Sequence, residues 1–219
     1  MKSIARGSRG SVLSAIIGLI ALLVTGQSGA GDAARSWTVL ALGDSLTAGY
    51  GLDAKDAFAV RLEAALRAHG RDVTVINAGV SGDTSAGGLA RLDWLLAGRE
   101  IDAAIVELGA NDGLRGLDPA ATRANLEQIL TRLKTKGARV LLSGMLAPPN
   151  LGPDYGQAFN GLYPALAEAH GVAFDPFFLE GVATVPELNQ EDGIHPNSDG
   201  ITKIVNRITP MIINELLIK

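Results

Sequence analysis

Three observations predict an α/β/α sandwich on a five-stranded parallel sheet. From Trp37 onward, short apolar runs alternate with helical patterns. The helical patterns between the runs are ten to fifteen residues long, the length of a crossover joining parallel strands. The 219-residue chain is 47% hydrophobic and 19% charged, enough to bury one domain core and too apolar for a disordered polyelectrolyte.

The elements follow in order. Thr38–Leu42 reads as the first strand and runs into Gly43-Asp44. Lys55–His69 reads as a helix with Phe58, Leu62, Ala65 and Leu66 on one face and Gly70 as its stop. Val73–Ile76 is the second strand. Ser85–Ala97 is a helix with Leu89, Leu92, Leu95 and Leu96 turned inward, and Ala103–Leu108 is the third strand. The next helix carries the clearest punctuation. Asp118 is its cap, Pro119 suits its first turn, and Leu126, Ile129, Leu130 and Leu133 repeat at helical spacing. Arg132, Lys134 and Lys136 sit at its negative end, before Gly137. Arg139–Met145 is the fourth strand. Ala158–His170 reads as a helix ended or kinked at Pro164, Val172–Phe174 as a short fifth strand, and the chain finishes in a helix from about Ser198, disturbed at Pro210. This arrangement is of flavodoxin type, in which sites lie outside the carboxyl ends of the strands.

Residues 1–30 read as a separate object, a signal peptide, with residues 31–219 forming the domain. Lys2, Arg6 and Arg9 make a positive start, Val12–Val24 is an uncharged apolar run, and small residues follow, with Ser28-Gly29-Ala30 and Ala33 as cleavage points. The run falls short of the ~20 residues that span a bilayer comfortably. Removal after Ala30 leaves 16 basic against 23 acidic residues, a net charge of −7. That charge argues against nucleic-acid binding. No cysteine is present, which removes disulfides, thiolate nucleophiles and zinc-thiolate sites. Export of such a chain fits a periplasmic or secreted protein whose fold uses no disulfide. Three histidines leave little scope for a multi-histidine metal site, and no metal or other cofactor is expected.

The segments after the strands carry the chemistry. Gly43-Asp44-Ser45-Leu46 follows the first, Asn77–Asp83 the second and Gly109-Ala110-Asn111-Asp112 the third; Asp192-Gly193-Ile194-His195-Pro196 precedes the last helix. A serine hydroxyl is a weak nucleophile until a base accepts its proton, and histidine is the usual base. A carboxylate must orient and stabilise the imidazolium, and Asp192 lies three residues before His195. The backbone N–H groups of Ser45 and Gly82 and the Asn111 amide are donor types suited to an oxyanion. Taken singly these residues say little: serine after a strand often caps a helix, and asparagine often sits in turns. His69 and His170 each precede a glycine at a helix end, where a histidine serves the helix dipole. His195 has no such explanation. No serine stands in G-x-S-x-G, and there is no Walker A motif.

In order and placement, the four segments resemble the first, second, third and fifth blocks of the GDSL, or SGNH, hydrolases, across roughly Val39 to Ile212. Asn77–Leu92 and Val106–Gly116 further resemble bacterial periplasmic multifunctional esterases of thioesterase, lysophospholipase and arylesterase type. The resemblance implies the SGNH hydrolase fold, Ser45 as nucleophile, His195 as base, Asp192 as its orienting carboxylate, and an oxyanion hole of Ser45 N–H, Gly82 N–H and the Asn111 side chain. Ala110 stands where relatives often carry a second glycine. The stretch Leu114–Leu117 matches a loop bordering the acyl site in these relatives, while Ala147–Gly152 departs from them, so Leu114, Leu117, Pro149 and Leu151 are the expected acyl-chain walls.

The expected activity is therefore hydrolysis of carboxylic esters and acyl thioesters through an acyl-enzyme. The expected protein is a monomer acting on a small-molecule ester or lipid-like acyl substrate, with no nucleic-acid partner and no stable membrane span. Two alternatives stay open from sequence: an O-acetylesterase of carbohydrate or cell-wall polymer with the same machinery, and a non-catalytic binding domain.

Overall fold

The computed structural model describes residues 35–218; the proposed leader lies outside them. The elements are β1 (Trp37–Gly43), α1 (Ser45–Ala48), α2 (Phe58–Ala68), β2 (Val73–Gly79), α3 (Ser85–Leu96), β3 (Ala103–Glu107), α4 (Ala110–Leu114), α5 (Pro119–Thr135), β4 (Arg139–Ser143), α6 (Pro153–His170), β5 (Ala173–Asp175) and α7 (Ser198–Met211). The five strands are all parallel in the order β2-β1-β3-β4-β5, the flavodoxin arrangement expected from sequence.

The inner strands β1, β3 and β4 are buried because helices cover both faces of the sheet, while the edge strands β2 and β5 are only partly covered. α2 packs with α7; α3 and α6 each pack with α5. Leu40, Leu42 and Ile105 of the sheet, Leu62 and Leu66 of α2, Ile204 and Ile208 of α7, and Leu126, Leu130 and Leu133 of α5 have no exposed surface. This is one continuous apolar core. α5 starts where its sequence demands: the Asp118 side chain accepts Ala120 N–H at 2.9 Å, and Pro119 occupies the first turn.

The register brings the strand ends level. Gly43 pairs with Gly79 on one side and Glu107 on the other, Glu107 with Ser143, and Ser143 with Asp175. All five strands end on one row, so the loops that follow them emerge along a single edge. The order reverses between β1 and β3, which opens a crevice between the segments following those strands. Close packing at that edge needs small residues. A Cβ on Gly79 would lie 2.2 Å from the Ala48 backbone nitrogen, so glycine lets α1 rest on the end of β2.

Several elements differ from the sequence-based bounds. The Lys55–His69 segment divides into a 3-10 turn (Ala54–Asp56) and α2. β2 extends to Gly79 because it pairs along the whole of β1. α6 begins five residues earlier than expected, at Pro153, and runs unbroken through Pro164 to His170. Tertiary packing overrides the proline there: Phe159, Leu162, Tyr163 and Leu166 around it are all buried. α7 contains Pro210 and passes into a π-helical turn, Ile212–Leu216, as the missing proline N–H loosens the ladder.

Candidate active site

Ser45 opens α1, a single helical turn capped by Asp44, whose Oδ1 accepts Leu46 N–H at 3.0 Å. The segment carrying His195 comes from the other end of the chain. Asn189 bridges to Pro196, Gln190 N–H donates to the His195 carbonyl at 2.8 Å, and Asn197 caps α7 by accepting from Asp199 N–H and Gly200 N–H. These bonds hold His195 immediately before α7. Its Nε2 lies 2.9 Å from Ser45 Oγ, and its Nδ1 lies 2.6 Å from Asp192 Oδ2.

Asp192 is set by its own turn. Oδ1 accepts Ile194 N–H at 2.9 Å and His195 N–H at 3.0 Å, which leaves Oδ2 for the ring. The three-residue spacing lets one carboxylate brace the turn and reach the imidazole. The His195 N–H, the His195 ring and the Ile194 N–H together hold the Asp192 carboxyl down at about 2, so it is ionised at neutral pH. The Tyr50 ring lies against the imidazole, 4.7 Å between centroids.

On the other side of Ser45, Asn111 sits in α4 just after Gly109, whose φ of 111° and close neighbour Tyr163 admit only glycine. Asn111 Nδ2 donates to Asp44 Oδ2 at 3.0 Å, which leaves its second amide hydrogen free for another acceptor. Gly82 lies in the Ser81–Asp83 loop with φ 83°. Among the described residues, neither the Ser45 nor the Gly82 N–H has an acceptor. Burial pushes the Asp44 carboxyl up to about 6, against the lowering effect of Leu46 N–H and the Asn111 amide.

These groups line a cavity of about 340 Å³. Ser45, Gly82, Asn111 and His195 stand along it, with Leu114 as the one expected acyl-chain wall among its lining residues. Leu117, Pro149 and Leu151 are not among the residues lining this cavity. The Leu117 carbonyl is tied to the Tyr155 hydroxyl of α6 at 2.8 Å, and a 3-10 turn over Pro149–Leu151 carries Leu151 toward Gly116. The walls are instead Tyr50, Met145, Leu146, Pro148, Phe177 and Ile194. Leu146 and Phe177 were legible by the rule already applied to the other strands, since they follow β4 and β5. His69 and His170 sit at the ends of α2 and α6, away from this cavity. Among the described residues no group of three or more His, Asp or Glu side chains is placed to hold a metal ion.

Residues 41–202 match the model of the GDSL-like lipase/acylhydrolase family. The chain belongs to this family. The chain is 42% identical over 195 residues to the esterase TesA of Pseudomonas aeruginosa, covering 89% of this chain and 94% of that one. It is 43% identical over 181 residues to thioesterase 1/protease 1/lysophospholipase L1 of Escherichia coli strain K12, covering 83% of each. The crystal structure of AlinE4, an SGNH-hydrolase family esterase, superposes with a TM-score of 0.70 at 48% identity, covering 82% of this chain and 96% of that one. The chain is thus an SGNH ester hydrolase of the esterase, thioesterase and lysophospholipase type.

Two outcomes follow from this geometry. Leu146→Trp should move the preferred acyl length of nitrophenyl esters toward shorter chains, whereas Leu151→Trp should leave the length profile unchanged; kcat/KM across a graded ester series reads both. For Asp44, a carboxyl raised to about 6 when folded keeps its proton longer than in the unfolded chain. Its contribution to stability therefore falls as pH rises from about 4 to 6. The melting temperature of Asp44→Asn relative to wild type should be higher at pH 7.5 than at pH 4.5, and equal differences at the two pH values would contradict the assignment.

Proposed function

We propose that the chain hydrolyses carboxylic esters and acyl thioesters through an acyl-enzyme on Ser45. The observation that carries this reading is the continuous contact from Ser45 Oγ through His195 to Asp192, at 2.9 and 2.6 Å, at the wall of an apolar cavity. His195 Nε2 takes the hydroxyl proton as Ser45 Oγ bonds to the acyl carbon. Asp192, ionised and accepting from Nδ1–H, keeps the imidazole in the tautomer whose Nε2 is free to accept, and stabilises the imidazolium. The same Nε2 returns the proton to the departing alcohol or thiol. Water then repeats the sequence on the acyl-enzyme and releases the acid.

Charge on the substrate oxygen is met by the N–H groups of Ser45 and Gly82 and by the Asn111 amide. Asp44 holds one Asn111 N–H and so aims the other. The apolar walls favour an acyl chain, with each buried methylene contributing up to ~0.8 kcal/mol. We further propose that residues 1–30 direct export to the periplasm or outside the cell, as the charge and hydropathy pattern of that segment suggests. No helix among the described residues is long and apolar enough to cross a membrane.

The reading is tested with a fluorophosphonate probe and a substrate panel. Wild type should be labelled at Ser45, and Ser45→Ala should lose labelling and at least ~10³-fold of kcat with the fold intact. Nitrophenyl esters and acyl thioesters should be cleaved better than acetylated sugars; the opposite ranking would favour an O-acetylesterase. Asn111→Ala should lower kcat by about 10–10³-fold with little change in KM, because its amide stabilises charge absent from the ground state. A large rise in KM with kcat intact would make Asn111 a ground-state binding group instead.

A further inference from the structure

Beneath the nucleophile lies a carboxyl that the chemistry above does not use. Glu107 ends β3 and has no exposed surface. Its Oε2 lies 2.6 Å from the Thr47 hydroxyl and accepts Asp44 N–H at 3.4 Å. A Cβ on Gly43 would come within 2.5 Å of that oxygen, so the carboxyl fills the space glycine leaves at the end of β1. Thr47 and Asp44 flank Ser45 on either side. α1, which Asp44 caps and which contains Thr47, has four residues, too few to hold its own shape in water, so its orientation must come from tertiary contacts.

The surroundings also bear on charge. The second oxygen of Glu107, Oε1, is buried without a hydrogen-bond partner among the described residues. No cation pairs with Glu107 there; the titratable groups facing it are Asp44 and Tyr163. An ionised carboxylate with a bare oxygen, no cation and a second carboxyl beside it would be poorly accommodated, whereas the neutral acid fits. Burial, and then the Asp44 charge, push Glu107 well above the usual carboxylate range. A second negative charge under the turn would also oppose the negative charge developing on the substrate oxygen.

We propose that Glu107 is a positioning residue for Ser45: as an uncharged acid it clamps the Asp44–Thr47 turn on both sides of the nucleophile. The proposal rests on the reading of Ser45 as nucleophile. It differs from a packing role because a residue that only fills space would affect stability and leave turnover per active site unchanged.

The test compares Glu107→Gln, Glu107→Leu and Thr47→Val in the full chain, with active sites counted by fluorophosphonate labelling. Glu107→Gln keeps shape and neutrality and should retain kcat within about threefold, with an unchanged pH profile. Glu107→Leu should lower kcat per labelled site by about 10–100-fold with KM nearly constant, since a small misplacement of a reacting group has that effect. Thr47→Val should lower kcat in the same sense and add little on top of Glu107→Leu. A Gln variant as impaired as the Leu variant would overturn the neutral-acid assignment, and a Leu variant with full kcat per labelled site would overturn the positioning role. Should Glu107→Leu fail to fold, Thr47→Val decides alone: reduced kcat at constant KM supports the clamp, and unchanged kcat overturns it. Absence of labelling in wild type would instead refute Ser45 as nucleophile.

Discussion

The meeting of Ser45 with His195, 150 positions apart in sequence, depends on the parallel register of the sheet. Gly79, Gly43, Glu107, Ser143 and Asp175 end their strands on one row, and every site segment except that of His195 leaves from that row. A slip of one residue in any pairing would turn side chains to the opposite face and displace the loop beyond it. The His195 segment is placed separately, by the Asn189–Pro196 bridge and the Asn197 cap that join it to α7. α7 in turn packs on α2, which continues the chain from the nucleophile turn. The site is held where two ends of one core come together.

Three carboxyls near Ser45 differ because their surroundings differ. Asp192 is partly open to solvent, accepts two backbone N–H groups and the imidazole, and stays ionised. Asp44 is buried, and its hydrogen bonds only partly offset desolvation. Glu107 is buried deeper, with one oxygen unpartnered. Asp192 accepts from three donors, whereas Asp44 and Glu107 accept from two each; the bare oxygen and fuller burial of Glu107 separate it from Asp44. Negative charge is thereby stable behind the imidazole and disfavoured in the buried space beneath Ser45.

The cavity suits the acyl substrates proposed above. Its apolar walls come from several separate segments, and Tyr50, Leu114, Leu146 and Ile194 are each about half exposed. Apolar side chains left open around a catalytic cleft mark a ligand surface rather than a packing defect. They are anchored unequally: Leu114 belongs to the short helix α4, whose following turn is pinned by Arg115 donating to the Gly82 carbonyl at 2.9 Å.

The sequence by itself determined the α/β class and the five strands, and it singled out Ser45, Asp192 and His195, which the fold brings into contact. Each of these is written locally: helical periodicity, the Asp118-Pro119 start, the Gly43–Leu46 turn, and the three-residue spacing of Asp192 and His195, which a single turn satisfies. It failed where the outcome depended on distant partners. Pro164 reads as a helix breaker, yet buried neighbours carry α6 through it. Leu117, Pro149 and Leu151 read as acyl-chain walls, yet the cavity beside Ser45 is lined by Leu146 and Phe177 and not by those three. Glu107 reads as an ordinary strand residue, and only the register that sets it beside Gly43 makes it a neighbour of the nucleophile. Local chemistry is encoded at short spacing along the chain; which side chain faces a cavity is decided by packing between segments that the sequence keeps far apart.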